Sequence, residues 1–304
     1  MGAYIGRRLL QSALTVLAVG ALVFAFMTVA GDPAILLLPP EAGTAELERF
    51  RHELGLDRPA VVRYITFMTR FWYSDSVRSF RYSDPLLPLI LGHLRWTLVL
   101  AAAAMTLALA LALPLGAWAA RRRGRLVDVL IRLLAVVGES VPSFVTAILL
   151  MYLLAVWFPI LPVAGLGVPH AVLPVATLTL FQVAVLLRLL RSELLDVLGQ
   201  DYVRTARSKG VGEGGILARH ALRNALIPVV AMAGLLFNGL VVGAVVVEPI
   251  FAWPGLGWLL VQSVFARDYP VVVGGATIAA VVVALVNLGV DVLQVWIDPR
   301  IRTA

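Results

Sequence analysis

The sequence predicts an all-α polytopic membrane protein with six transmembrane helices, and three observations carry that reading. Its 304 residues are 61% hydrophobic and 14% charged, against roughly 45–50% apolar and 25% charged in soluble domains. Six stretches, near 9–30, 96–120, 133–158, 171–190, 226–250 and 270–297, reach or approach the about 20 apolar residues that cross a hydrocarbon core. The basic residues, almost all arginine, cluster beside those stretches, which is the pattern of a topology signal and not of a nucleic-acid footprint.

The first apolar stretch follows Arg7 and Arg8 as a signal peptide would, but it exceeds the 7–15 residues of a cleavable core and is read as a retained span. After it, 46–54 has helix-forming residues ended by Gly55, and Pro59 is placed to open a second helix carrying Val62, Ile65, Phe67 and Trp72. The chain is thus expected to divide into an N-terminus and first span (1–30), an extracytoplasmic helical segment (31–95) and a core of five spans (96–304). The helical segment reads equally as a lid on the bundle or as a docking surface.

The arginines orient the spans. Arg7, Arg8, a cluster between Arg121 and Arg132, another between Arg188 and Arg223, and Arg300 with Arg302 fall on one side, whereas 159–170 has no Lys or Arg and 251–269 has only Arg267. The positive-inside rule then places both termini in the cytoplasm. The arginines between Arg49 and Arg81 lie in a connection of a length that crosses the membrane largely regardless of charge.

Several chemistries are excluded. The chain has no Cys, which removes disulfides, thiolate metal sites, cysteine nucleophiles and a lipoprotein anchor. Lys209 is the only lysine and is followed by Gly210, whereas a phosphate-binding loop needs Lys followed by Ser or Thr. If ATP drives this protein, another chain binds it. His52, His93, His170 and His220 are scattered, with no HExxH pair and no GxSxG elbow, so no metal site or enzymatic centre is expected.

Polar groups inside spans are costly in hydrocarbon and mark protein-facing or water-facing positions. They are Glu139, Gln182, Asn238 and Asn287, candidates for a translocation path or, equally, for interhelical hydrogen bonds. Glu139 adjoins Ser140 and Pro142, where proline frees a carbonyl and loosens the helix. Arg188 and Asp291, near span ends, are read as snorkelling.

The loop 191–225 is too polar for the membrane and reads as helix, turn, helix. Leu194, Leu195, Val197, Leu198, Tyr202, Val203 and Ala206 recur at helical spacing, followed by Arg207 and Lys209. Gly210 supplies the left-handed position that ends a helix, and a second helix resumes near Ile216 with Pro228 at the start of the next span. By periodicity alone this is an amphipathic interfacial connector as readily as a mechanical element.

DYVRTARSKG from Asp201 and RHALRNALIPVV from Arg219 resemble the EAA loop of ABC importer permeases of the dipeptide, oligopeptide and nickel family. RRLLQS, LGLDRP, VPSF, the run GAVVVEPIFAWPGLGWLLVQSVFARDYPVV from Gly243 and the ending DPRIR from Asp298 are also similar to that family. Three features depart from it, the first being that Arg204-Thr205-Ala206 keeps only one alanine of the three-letter E-A-A name. Gly212, Gly214 and Gly215 stand where bulkier polar residues are usual, and 73–79 replaces a glycine-containing G-D-x-G-x-S pattern.

The resemblance implies a type I ABC importer permease (MetI-like) fold in a bacterial inner membrane, with a small helical extracytoplasmic insertion. It implies a coupling role for Tyr202, Arg204, Thr205, Ala206, Lys209 and Gly210, with Arg204, Thr205 and Ala206 at the E-A-A positions. Its partners would be a second homologous permease, two cytoplasmic ATPases that hold ATP and Mg, an extracytoplasmic substrate-binding protein and membrane lipid, with no nucleic acid. Di- or oligopeptides are the expected substrates, and nickel or another small ligand the variant. Two other classes stay open on the residues: an ion-gradient-driven secondary transporter, which would show paired intramembrane carboxylates or broken-helix repeats, and a membrane scaffold.

Overall fold

The structure is a computed structural model describing residues 2–29, 31–32, 34–35, 38, 43–53, 55–73 and 75–297. The DPRIR ending, with Arg300 and Arg302, and Leu54 and Ser74 lie outside the described residues. Among the described residues the architecture is helical apart from turns and one isolated bridge between Arg78 and Pro85. Among the described residues five helices are long and apolar enough to cross a membrane, or six where a bent pair is counted as one span. The chain forms two compact units, 1–97 with 254–284 and 98–253 with 285–304.

In the first unit, α1 (Gly2–Val29) is the first span. Helices α2 (Thr44–Glu53) and α3 (Ala60–Tyr73) match the two helices expected around Gly55 and Pro59. Gly55 adopts φ +66°. Its N–H donates to His52 O at 3.0 Å and that of Leu56 to Arg51 O at 2.9 Å, the paired bonds that satisfy the last carbonyls of a helix. The Tyr64 hydroxyl of α3 donates to Leu17 O of α1 at 2.7 Å, and its ring packs against Phe24. Met68 and Phe71 supply the buried side of α3.

The second expected span begins early, because α4 runs from Leu86 to Arg121. The turn before it is held from a distant part of the same unit. Asp268, fully buried, accepts from the Ser79 hydroxyl and from the Phe80 and Arg81 N–H groups. The connection 251–269, expected as a short loop, contains an apolar helix, α10 (Leu256–Phe265). It leads into the last span, α11 (Tyr269–Ile297).

In the second unit, the expected span 133–158 is broken. Helix α5 (Leu126–Ser140) and helix α6 (Ser143–Met151), the latter prolonged by a π-helical turn Tyr152–Trp157, meet at a 102° bend. Pro142 causes it. Proline has no N–H to continue the ladder and pushes the preceding residue out of helical geometry, and Val141 is extended at φ −91° and ψ 120°.

Helix α7 (Val168–Leu198) packs against α5, α6 and α9 (Leu222–Ile250). Small residues allow close approach: a Cβ at Gly138 would meet the Ala184 Cβ at 3.1 Å. At Gly234 of α9 an added Cβ would collide with Val290 of α11. Gly234→Ala is therefore expected to destabilise the protein by about 1–3 kcal/mol, measured as earlier thermal unfolding, and Val290→Ala added to it should restore most of the loss.

Candidate functional site

The loop 191–225 differs from its expected form at both edges. Leu194–Leu198 belong to the end of α7, which stops at Gly199. A separate helix, α8, spans Asp201–Ser208. On the far side the chain turns helical at Glu213–Gly215, ahead of Ile216 and in spite of the glycines, then passes through a π-helical segment Ile216–Ala221 into α9. The side chain of Glu213 contributes, because it accepts from Arg207 Nε at 2.7 Å and Nη2 at 3.2 Å. Pro228, expected at a span start, lies inside α9.

Gly210 stands where the turn requires it, at φ +81°. Its N–H donates to Arg207 O at 2.9 Å, and that of Val211 to Ala206 O at 3.2 Å, so the carbonyls ending α8 are satisfied and the chain reverses. Val203 and Ile216 are fully buried and anchor the two arms. Tyr202 and Asn224 tie them together, with Asn224 Nδ2 donating to the Tyr202 hydroxyl at 2.8 Å.

The other face of α8 is open. Arg204 is 80% exposed and lies 3.7 Å from Asp201. Thr205 and Lys209 are also exposed, and Ala206 is half-buried. A short stiff helix thus has one apolar residue, Val203, set into its own unit and a polar face turned outward. Among the described residues no group of three or more His, Asp and Glu could hold a metal ion.

The base of this loop is clamped by residues that sequence reasoning did not single out. Arg191 near the end of α7 donates from Nε to Asp128 Oδ1 at 2.5 Å and from Nη2 to Oδ2 at 2.8 Å. Asp128, in the first turn of α5, is 1% exposed and also accepts from the Gly124 N–H at 3.0 Å. The two partners are 63 positions apart, so no local pattern announces the pair.

Of the four intramembrane candidates, Glu139 and Gln182 come together. Both line a cleft of about 340 Å³ at the α5–α6 bend, with Phe181, Leu235 and Gly239. Arg188 does not simply snorkel: its Nη1 pairs with Glu139 Oε2 at 2.8 Å, because the two residues fall on facing positions of α7 and α5. Among the described residues Glu139 Oε1 and Gln182 Oε1 are buried without a hydrogen-bond partner. Asn238 and Asn287 instead bond to each other, Nδ2 to Oδ1, at 2.6 Å between α9 and α11.

Comparison with known proteins identifies the arrangement. The binding-protein-dependent transport system inner membrane component family matches residues 112–303, and the N-terminal region of the corresponding membrane component matches 1–108. The oligopeptide transport system permease protein AppB of Bacillus subtilis is 39% identical over 315 residues, covering 99% of this chain and 100% of that one. The glutathione transport system permease protein GsiC of Salmonella typhimurium is 41% identical over 301 residues, 98% of each. A Brucella abortus chain provisionally named a peptide transport system permease protein is 41% identical over 312 residues, 99% of each. In fold, a chain from a crystal structure of an amino acid ABC transporter with histidines superposes with a TM-score of 0.56 at 19% identity, over 68% of this chain and 93% of that one. The chain belongs to the binding-protein-dependent transport system inner membrane components, and it is a multi-pass permease subunit of an ABC importer.

Proposed function

We propose that this permease forms half of a translocation path for di- or oligopeptides and transmits force from separate ATPase subunits through α8. The observation that supports this most is the build of the loop: Val203 and Ile216 buried, Gly210 closing the turn, and Arg204 and Lys209 facing outward. Tyr202, Arg204, Thr205, Ala206, Lys209 and Gly210 constitute the coupling surface. ATP and Mg are held by two ATPases on the cytoplasmic side, where both termini also lie. A second homologous permease completes the path, and an extracytoplasmic binding protein delivers substrate. The core 96–304 carries the spans that move.

ATP binding favours one of two conformations by its differential affinity for them. Closure of the ATPases draws the coupling helices together and turns the path outward, and hydrolysis resets it. The names of the AppB and GsiC relatives favour peptides as cargo. Reconstituted with its partner permease, ATPases and binding protein, the chain should take up peptide only with ATP and only when the ATPases are present. Uptake by this chain alone under a proton gradient would refute the proposal.

Within the path, the bend at Pro142 places Glu139 and Gln182 in one cleft. Glu139→Gln removes the charge opposite Arg188 and should lower transport more than membrane insertion. Changing both residues to Gln should recover part of the loss. Equal loss of inserted protein and of transport in the single variant would remove Glu139 from the path.

A further inference from the structure

A second cleft, of about 340 Å³, lies in the first unit between the end of α1, the α2–α3 pair and the start of α11. Its lining is both cationic and apolar. Arg58, Arg63, Arg70 and Arg78 are its cations, with Glu53 the only carboxylate among the described lining residues. Phe24, Met27, Phe67 and Val273 are among its apolar members.

The arginines are poorly neutralised. Asp32 pairs with Arg51 at 2.5 Å and also faces the charge of Arg63, and Asp57 lies 3.8 Å from His52. Among the described residues the guanidinium groups of Arg58 and Arg70 make no hydrogen bond or ion pair, and that of Arg78 bonds only a carbonyl, that of Ser83, at 2.7 Å. Arg63 lies over the Phe24 ring, 5.6 Å from its centroid. Burial pulls its guanidinium below the usual pKa, against the opposing pull of Asp32.

The apolar side chains belong to the ends of two spans. Phe24 and Met27 occupy the last two turns of the first span, which ends at Val29, and Val273 occupies the first two turns of the last span. The Tyr269 hydroxyl donates to Gly31 O at 3.1 Å and fixes these two ends side by side. On the same last turns of α1, Phe26 and Val29 are 66% and 86% exposed. Arginines in excess of the carboxylates, beside apolar side chains at the end of the first span, match an amphiphile with an anionic head and a hydrocarbon tail.

We propose that this cleft binds one anionic phospholipid, its phosphodiester held by Arg58, Arg63 and Arg70 and its acyl chain laid along Phe24 and Met27 of α1. Guanidinium groups hold phosphate oxygens in a planar fork, and the apolar wall distinguishes a lipid from a free anion. The proposal does not depend on what the transporter carries, and its test reads lipid binding instead of uptake.

The test is native mass spectrometry of the assembled transporter from nanodiscs of phosphatidylcholine doped with phosphatidylglycerol. Wild type should retain one phosphatidylglycerol per copy of this chain, with phosphatidylcholine not competing. Arg58→Gln should weaken retention about fivefold, and the triple change of Arg58, Arg63 and Arg70 to Gln about a hundredfold, at about fivefold per arginine. Arg58 is exposed and without partners, so the single variant keeps the test valid if the triple variant does not fold. Equal retention of phosphatidylglycerol by wild type and Arg58→Gln would overturn the site. Complete displacement by millimolar inorganic phosphate would overturn the lipid as its occupant.

Discussion

Gly210→Val is expected to leave ATP hydrolysis by the assembled transporter running while peptide uptake falls about tenfold or more. The reason is backbone conformation, because nothing lies within 4 Å of a Cβ built at this position, yet its φ is +81°. A β-branched residue resists that region by at least about 1–2 kcal/mol. The turn would then open, the Val211 bond to Ala206 O would be lost, and the direction of α8 would no longer be set. Gly210→Asn, which tolerates the left-handed region, should retain much of the coupling. Arg204→Glu tests the same surface without touching the backbone, since Arg204 is 80% exposed, and should also raise ATP hydrolysed per peptide moved. Wild-type stoichiometry in Gly210→Val and Arg204→Glu together would remove the loop from the mechanism.

The second large effect is on stability. Asp128→Asn strips the charge from a carboxylate that is 1% exposed and leaves Arg191, itself 16% exposed, without its counter-ion. Breaking a buried pair by removing one partner costs about 3–5 kcal/mol. Thermal unfolding of the purified protein should therefore begin much earlier. Replacing both partners by apolar residues, Asp128→Leu with Arg191→Met, should recover most of that loss, because the penalty comes from the stranded charge. The pair also binds the end of α7, where the loop 191–225 begins, to the first turn of α5. Full stability in Asp128→Asn would show that the clamp is dispensable.

What could be read from the sequence follows from the range of each interaction. Hydrophobic runs announce spans because burial in lipid is a property of whole segments, and Gly55, Pro59 and Gly210 announce helix ends because backbone geometry is local. The bend at Pro142 was less legible. The apolar run continues across it, so composition counts one span where the chain makes two helices at 102°. The left-handed residues Ala252 and Arg267 carry no glycine signal. They take that conformation in turns held by bonds such as Trp253 N–H to Glu248 O at 2.8 Å and Asp268 N–H to Ser263 O at 2.8 Å.

Long-range pairing was the least legible. Glu139 stood out as a carboxylate in a span, but its partner Arg188 looked like a terminal residue until the facing of α5 and α7 brought them to 2.8 Å. Asp128 with Arg191 and Asp268 with Ser79 lie 63 and 189 positions apart. No periodicity in one sequence encodes such distances. The glycines at 212, 214 and 215 suggested a weak start to the second arm of the loop. The chain is helical there all the same, and an exposed ion pair from Arg207 to Glu213 spans the turn, which again depends on folding.

The coupling role of α8 is tested most directly by cross-linking, and the chain suits it because it contains no cysteine. A single cysteine at Arg204, with a cysteine scan along the ATPase surface, reports contact between the two subunits in the assembled importer. The expected result is a disulfide to one ATPase groove whose yield changes when ATP replaces no nucleotide, with a cysteine at Leu126, 72% exposed and outside the loop, giving none. No cross-link from position 204 in any nucleotide state, with the complex intact, would contradict the account.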